Sequence, residues 1–268
     1  MKMTIYRHLI LGLGILALTS HPLTASAQSD EFGVDFSLDV QKKFSKQWSI
    51  DLEAEYRDRN NLKTNDRWSI GLGLDYKVAK WLKASAGYTF IYDNNQRTSY
   101  YDATDDAVLD GDVMEGAAKK YAQYWAPRHR FNVSLTASKK LFGDFKFSLR
   151  ERWQYTYRPE YTVDERWSYL KQAYDGKSHT YSGKGKNVLR SRLQIEYDKK
   201  GLPLKPYVSA ELFNAWSLQK VRYTAGADWN LNKQNSLGFF YRYQNVRNDE
   251  DDLEPNTHLL GVSYKIKF

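Results

Sequence analysis

The chain has 268 residues, 40 Lys+Arg against 32 Asp+Glu, no cysteine, and 21 Tyr, 12 Phe and 8 Trp, with a mean hydropathy of −0.71. The missing cysteine excludes disulfide scaffolds, thiolate metal sites, cysteine nucleophiles and cysteine-anchored lipoproteins. The hydropathy excludes a bundle of membrane-spanning helices, each of which needs about 18 or more consecutive apolar residues, while so many aromatic residues exclude a disordered chain.

Residues 1–27 read as an address. Lys2 and Arg7 form a positive front, Leu9 to Leu18 a short apolar run, and Ala25-Ser26-Ala27 a small-residue cleavage site. This is the pattern of a secretory signal peptide cut after Ala27. A buried N-terminal helix is the rival reading, and a run this short between cations and an A-x-A site disfavours it. The expected domain is therefore 28–268, with 38 Lys+Arg against 32 Asp+Glu, or +6. That surplus is too mild and diffuse to suggest nucleic acid as a partner.

From Gln28 onward the dominant period is two, the signature of half-buried strands. Phe32, Val34, Phe36, Leu38 and Val40 alternate with Gly33, Asp35, Ser37 and Asp39. Trp48, Ile50, Leu52, Ala54 and Tyr56 repeat the pattern, followed by Trp68 to Tyr76, Leu82 to Phe90 and Phe131 to Ala137. The same phase runs through Phe145 to Tyr157, Leu189 to Tyr197, Val208 to Leu212, Val221 to Leu231, Leu237 to Tyr243 and His258 to Phe268. These are eleven candidate strands.

Short turns are expected near Ser45 to Gln47, Ala79 to Lys80, Leu141 to Asp144, Asp198 to Lys205 and Asn232 to Gln234, alternating with polar stretches at 58–66, 93–127, 158–187, 214–220 and 245–256. Tight turns at one end and long loops at the other are the asymmetry of an outer-membrane β-barrel. At about 3.3 Å per residue and a tilt near 40°, eleven residues span roughly 28 Å, the height of the outer-membrane apolar band. The fold class expected is thus all-β, a single antiparallel transmembrane barrel in a Gram-negative outer membrane. With both termini in the periplasm its strand number must be even, so twelve strands are preferred and ten is the alternative.

A soluble ligand-binding barrel in the periplasm would put its apolar stripe inside. The opposite stripe argues otherwise: Asp51, Glu53, Glu55, Arg57, Asp75, Arg150, Arg152, Arg190, Arg192, Glu196, Glu211, Arg222, Asp228 and Arg242 are mixed in sign and can pair across a polar lumen. Aromatic residues gather at strand ends, with Trp48, Trp81 and Trp229 near short turns and Tyr56, Trp68, Tyr92 and Tyr157 near long loops, as interfacial girdles require. Glu151 breaks the pattern by falling on the apolar stripe; a bulge that re-aims it is the preferred account, ahead of protonation or a wrong register.

The stretches EAEYRDRNN (53–61), DRWSIGLGLDY (66–76), ASAGYTFIYDNN (84–95), RERWQYTYRP (150–159), LRSRLQIEY (189–197), PYVSAELFN (206–214), RYTAGADW (222–229) and FFYRYQ (239–244) resemble a Gram-negative outer-membrane β-barrel family catalogued as a domain of unknown function. The likeness covers nearly all of 28–268. It implies fold and location, and brings no active site to transfer. The alternating last strand, with Tyr264, Ile266 and terminal Phe268, resembles the signal read by the outer-membrane assembly machinery. Partners expected are that machinery and outer-membrane lipids, with a monomer as the default and no cofactor or metal.

Few residues suggest chemistry. A lipid hydrolase would need a serine within reach of a base. Of five histidines, His8 and His21 fall in the address segment, and His129 and His258 share phase with Phe131 and Leu260, pointing to lipid or the interface. Only His179 remains, beside Ser178, Ser182 and Gly183, and a solvated loop histidine is the favoured reading. The Arg150-x-Arg152 and Arg190-x-Arg192 pairs are read first as ion networks with Asp51, Glu53 and Glu55, and alternatively as a constriction favouring anionic solutes. Two loops carry helical signals, around Asp112 to Tyr121 and Asp164 to Tyr174 with Gly176 as a stop. Acidic clusters at 102–112 and 249–254, and the basic loop of Lys177, Lys184 and Lys186, read as solvated charge. The expected function is a narrow channel or a structural and binding protein of the surface; the rival is a surface enzyme acting on lipid or peptide through its long loops.

Overall fold

The computed structural model describes residues 30–102, 108–109, 112–113, 116–247 and 255–268. The address segment with Ala25 and Ala27, and the acidic stretch at 249–254, lie outside the described residues. Eleven long strands form the wall: β1 (Glu31–Lys43), β2 (Trp48–Arg59), β3 (Thr64–Lys77), β4 (Leu82–Tyr100), β7 (Ala118–Leu141), β8 (Phe145–Arg158), β13 (Lys184–Tyr197), β14 (Leu204–Ala215), β15 (Ser217–Asn230), β16 (Asn235–Val246) and β17 (Thr257–Lys267). Short strands decorate the loops: β5 (Val108–Leu109) with β6 (Asp112–Val113), β9 (Tyr161–Val163) with β12 (His179–Tyr181), and β10 (Trp167–Ser168) with β11 (Ala173–Tyr174). No helix occurs among the described residues. The helical expectations at Ala118–Tyr121 and Trp167–Tyr174 therefore fail: the first opens β7, and the second forms β10 and β11 joined by a turn at 169–172.

Each of the eleven alternating segments became one wall strand, and the wall closes on itself. The expected twelve, or ten, is corrected to eleven. The odd number is accommodated at one seam, where β1 and β17 run parallel in unbroken register from Glu31↔Thr257 to Gln41↔Lys267. Every other wall pair is antiparallel. A parallel seam puts the start of β1 at the opposite end from Phe268, so the described chain does not begin and end on one side. The seam is pinned where Phe268 donates its N–H to the Gln41 carbonyl (2.8 Å) and accepts from the Lys43 N–H (3.1 Å).

The outer face is apolar. Along β3, Trp68, Ile70, Leu72 and Leu74 are 40–52% exposed, whereas Asp75 on the inner face is 7% exposed. Among the described residues, twelve polar or charged side chains are buried against nine apolar ones, and four of those nine belong to a cluster at the mouth rather than to the barrel interior. A soluble domain buries its apolar side chains; this one is inverted. Aromatic pairs band both ends of the wall, Trp48 on Tyr76 and Phe145 on Tyr197 near the short turns, Tyr56 on Trp68 and Tyr92 on Trp125 near the other rim. Gly261 is required on the inner face, since a Cβ there would collide with the Phe240 ring.

Turns at 44–47, 78–81, 142–144, 198–203 and 231–234 lie at one end. At the other, the 58–66 and 214–220 stretches are tighter than expected. The first reverses through Asn60, Asn61 and Leu62, all at positive φ, and the second at Trp216 alone, between paired Ala215 and Ser217. The 93–127 stretch extends β4 and β7 as a hairpin above the barrel. Three register shifts, at Arg57/Asp58, Ser99/Tyr100 and Phe213/Asn214, all occur at this rim; such irregularities gather at barrel rims. None occurs at Glu151, so the bulge account is corrected. Glu151 keeps the outward phase, pairs with Leu135 and Ser191 in regular ladders, and accepts a 2.6 Å hydrogen bond from the Ser191 hydroxyl.

Candidate functional site

Inward phase delivers the charged stripe to one lumen. β8 and β13 supply Arg150, Arg152, Arg190 and Arg192, β14 supplies Glu211 and Phe213, β15 supplies Arg222, and β16 supplies Arg242. Glu211, buried at 4% exposure, is the hub of this wall. It accepts from Arg150, accepts from Nε and Nη2 of Arg190 (3.1 and 3.0 Å), and lies 3.8 Å from Arg222. Arg190 and Arg222 also lie over the Phe213 ring at 4.5 and 4.8 Å from its centroid, a cation–π arrangement. Their remaining arms reach the carbonyl oxygens of Gln154 (2.9 Å) and Gln244 (2.8 Å).

Across the barrel, β1 and β2 carry the carboxylates. Asp35 binds Arg57 (3.0 Å) and Arg242 (3.2 Å), and Arg57 reaches Glu55 (3.2 Å). Asp51, Glu53 and Glu55 thus stand on the wall opposite the β8–β13 arginines, and the carboxylate that binds Arg150 and Arg190 is Glu211 on the adjacent strand. Asp75 binds Lys83 (2.8 Å), Glu196 lies 3.6 Å from Lys146, and Asp228 lines the cavity. Asp35, Phe213 and Gln154 were missed as site residues, yet Asp35 and Gln154 lie on the inward phase of their alternating runs and Phe213 one step beyond Leu212. Near the rim, Asp93 bridges Arg67 (3.3 Å) and Arg128 (2.7 Å), and Arg128 donates to Asn95.

The cavity within the barrel measures about 550 Å³ and is bordered by fourteen Lys or Arg against four Asp or Glu. Long side chains fill the bore of so small a barrel, as packing at this strand number requires. The result is a narrow, polar interior in which cationic side chains predominate at the cavity surface.

The 159–183 loop folds over the inward face of the β7 extension. Tyr124 stacks on Tyr161 (4.9 Å, 8°) and Tyr181 (5.2 Å, 17°), with Ala122, Ala126 and Val163 buried around them. Asp175 fastens the loop: it binds Lys120 (2.7 Å) and accepts from the Arg166 and Lys177 backbone N–H groups. Those hydrogen bonds, led by the one from Lys120, hold its carboxyl well below the usual range. His179 lies edge-on to Tyr181, and burial lowers its basicity. His129 and His258 face outward, bonded to the Tyr88 and Tyr241 hydroxyls. No group of three or more His, Asp or Glu poised for a metal occurs among the described residues.

Solved structures similar to the chain include the following three. The beta domain of the Bordetella autotransporter BrkA aligns at 14% identity and TM-score 0.48 over 83% of this chain and 82% of that one. The NanC porin aligns at 14% and 0.43, over 89% and 100%, and the CymD monoaromatic hydrocarbon channel at 9% and 0.36, over 80% and 82%. No curated protein matches the chain. Residues 32–254 match the family described as protein of unknown function DUF2490, and the chain belongs to that family.

Proposed function

We propose that the protein is an integral outer-membrane barrel whose lumen is a narrow passage for small anionic solutes. The observation that carries this reading is the lining of the cavity, fourteen cationic side chains against four carboxylates, since a ring of arginine favours anions in a pore. The apolar outer face supports membrane insertion and opposes the soluble periplasmic barrel, whose apolar stripe would be inside. Residues 1–27 act as the export signal, cut after Ala27, and Tyr264, Ile266 and Phe268 are the features the assembly machinery reads. Ile266 and Tyr264 share the outward phase of Leu260, and Phe268 is 60% exposed. The loop seated over the mouth supports a low conductance rather than free diffusion.

Purified protein reconstituted in planar bilayers tests the reading. Discrete conductance with a reversal potential favouring chloride over potassium is expected. Cation preference, or no conductance in protein shown to be folded, would count against it.

A further inference from the structure

We infer that the arginines of β8 and β13 form a binding site for a small dianion, either a phosphoryl group or two carboxylates on a short spacer. The inference rests on the anion-passage reading and names its solute class. In the β8–β13 ladder Arg152 stands directly opposite Arg190, and Arg150 directly opposite Arg192. Like charges directly opposite repel, and here two such pairs occupy successive inward positions.

Glu211 holds only two of these four arginines in direct hydrogen bonds. Its oxygens are taken by Arg150 and by Nε and Nη2 of Arg190, although Arg192 is its direct neighbour in the β13–β14 ladder. Among the described residues, neither Arg152 nor Arg192 has a carboxylate at ion-pair distance. Both side chains border the cavity. Diagonal neighbours on adjacent strands lie about 7–8 Å apart, their Cβ atoms somewhat closer, so two long guanidinium arms from there can converge on one phosphoryl group or divide between the carboxylates of a short diacid. The planar fork of arginine suits both groups. A monoanion would answer one of the two cations; a dianion answers both.

The test is block of chloride current in planar bilayers at about pH 8, where phosphate is a dianion. Inorganic phosphate, succinate and acetate are added at matched ionic strength. Phosphate or succinate should reduce the current saturably while acetate does not, and a response to only one dianion identifies the phosphoryl or the dicarboxylate form. In the Arg152→Gln/Arg192→Gln protein the half-blocking concentration, taken relative to that protein's own current, should rise by about tenfold or more. Acetate blocking as well as the dianions, or an unchanged half-blocking concentration, overturns the site. Chloride current indifferent to dianions overturns the site and leaves the anion passage standing. If no current is seen, the passage fails, and thermal unfolding in detergent decides the site: a melting temperature raised by dianions but not acetate in the natural protein alone upholds it, and no shift overturns it.

Discussion

Replacing Glu211 with glutamine removes the carboxylate on which Arg150, Arg190 and Arg222 converge. The side chain is 5% exposed and the three arginines are 11–17% exposed, so the change leaves cations enclosed without their counter-charge. Breaking a buried pair from one side costs about 3–5 kcal/mol. These guanidinia face a cavity that can admit water and counter-ions, which places the cost near the lower end, about 3 kcal/mol. Urea unfolding in lipid or micelles should read that loss. Adding Arg190→Gln to Glu211→Gln should recover part of it, because one orphaned cation is gone; a double-mutant cycle isolates that coupling. In bilayers, Glu211→Gln should also shift the reversal potential further toward anions. A Glu211→Gln protein within about 0.5 kcal/mol of the original, the range of an unremarkable surface change, would refute the hub.

Leu72→Arg, on the outer face at mid-strand, should destabilise the lipid-embedded protein by about 2–4 kcal/mol, measured by unfolding from vesicles; on a water-facing surface the same change would be near neutral. Gly261→Ala should cost about 1–3 kcal/mol through its collision with Phe240, and the same unfolding assay reads it. The Asp175 carboxyl is held below its ordinary value in the folded loop, so its contribution is complete above about pH 4 and is lost as pH falls through the folded value. Loop release followed by Trp167 fluorescence should therefore appear on acidification, and Asp175→Asn should release the loop at neutral pH and flatten that pH dependence.

The wall strands were legible because a period of two survives wherever one face meets an apolar medium and the other does not. The inward residues followed from the same phase. Pairing did not: whether Arg190 meets Glu211 or Glu53 depends on which strands are neighbours around a closed wall, and Glu53 lies on the far side. Parity misled because evenness assumes an antiparallel seam, and β1 with β17 closes in parallel. The helical pattern at Asp164 to Gly176 was overridden by a free strand edge, for Trp167 and Ser168 pair with Tyr121 and Lys120 on the projecting part of β7. Glu151 was legible as an exception, and its partner Ser191, forty residues on, was not.

Since the chain has no cysteine, spin labels can be placed one at a time along β3, at Trp68, Ser69, Ile70, Gly71, Leu72, Gly73, Leu74 and Asp75, in protein reconstituted into lipid. Collision rates with oxygen, which concentrates in acyl chains, and with a polar nickel chelate should alternate with a period of two. Oxygen should peak at 68, 70, 72 and 74 and the chelate at 69, 71, 73 and 75; the opposite phase, or chelate access at every position, would contradict a barrel that is apolar outside and wet within.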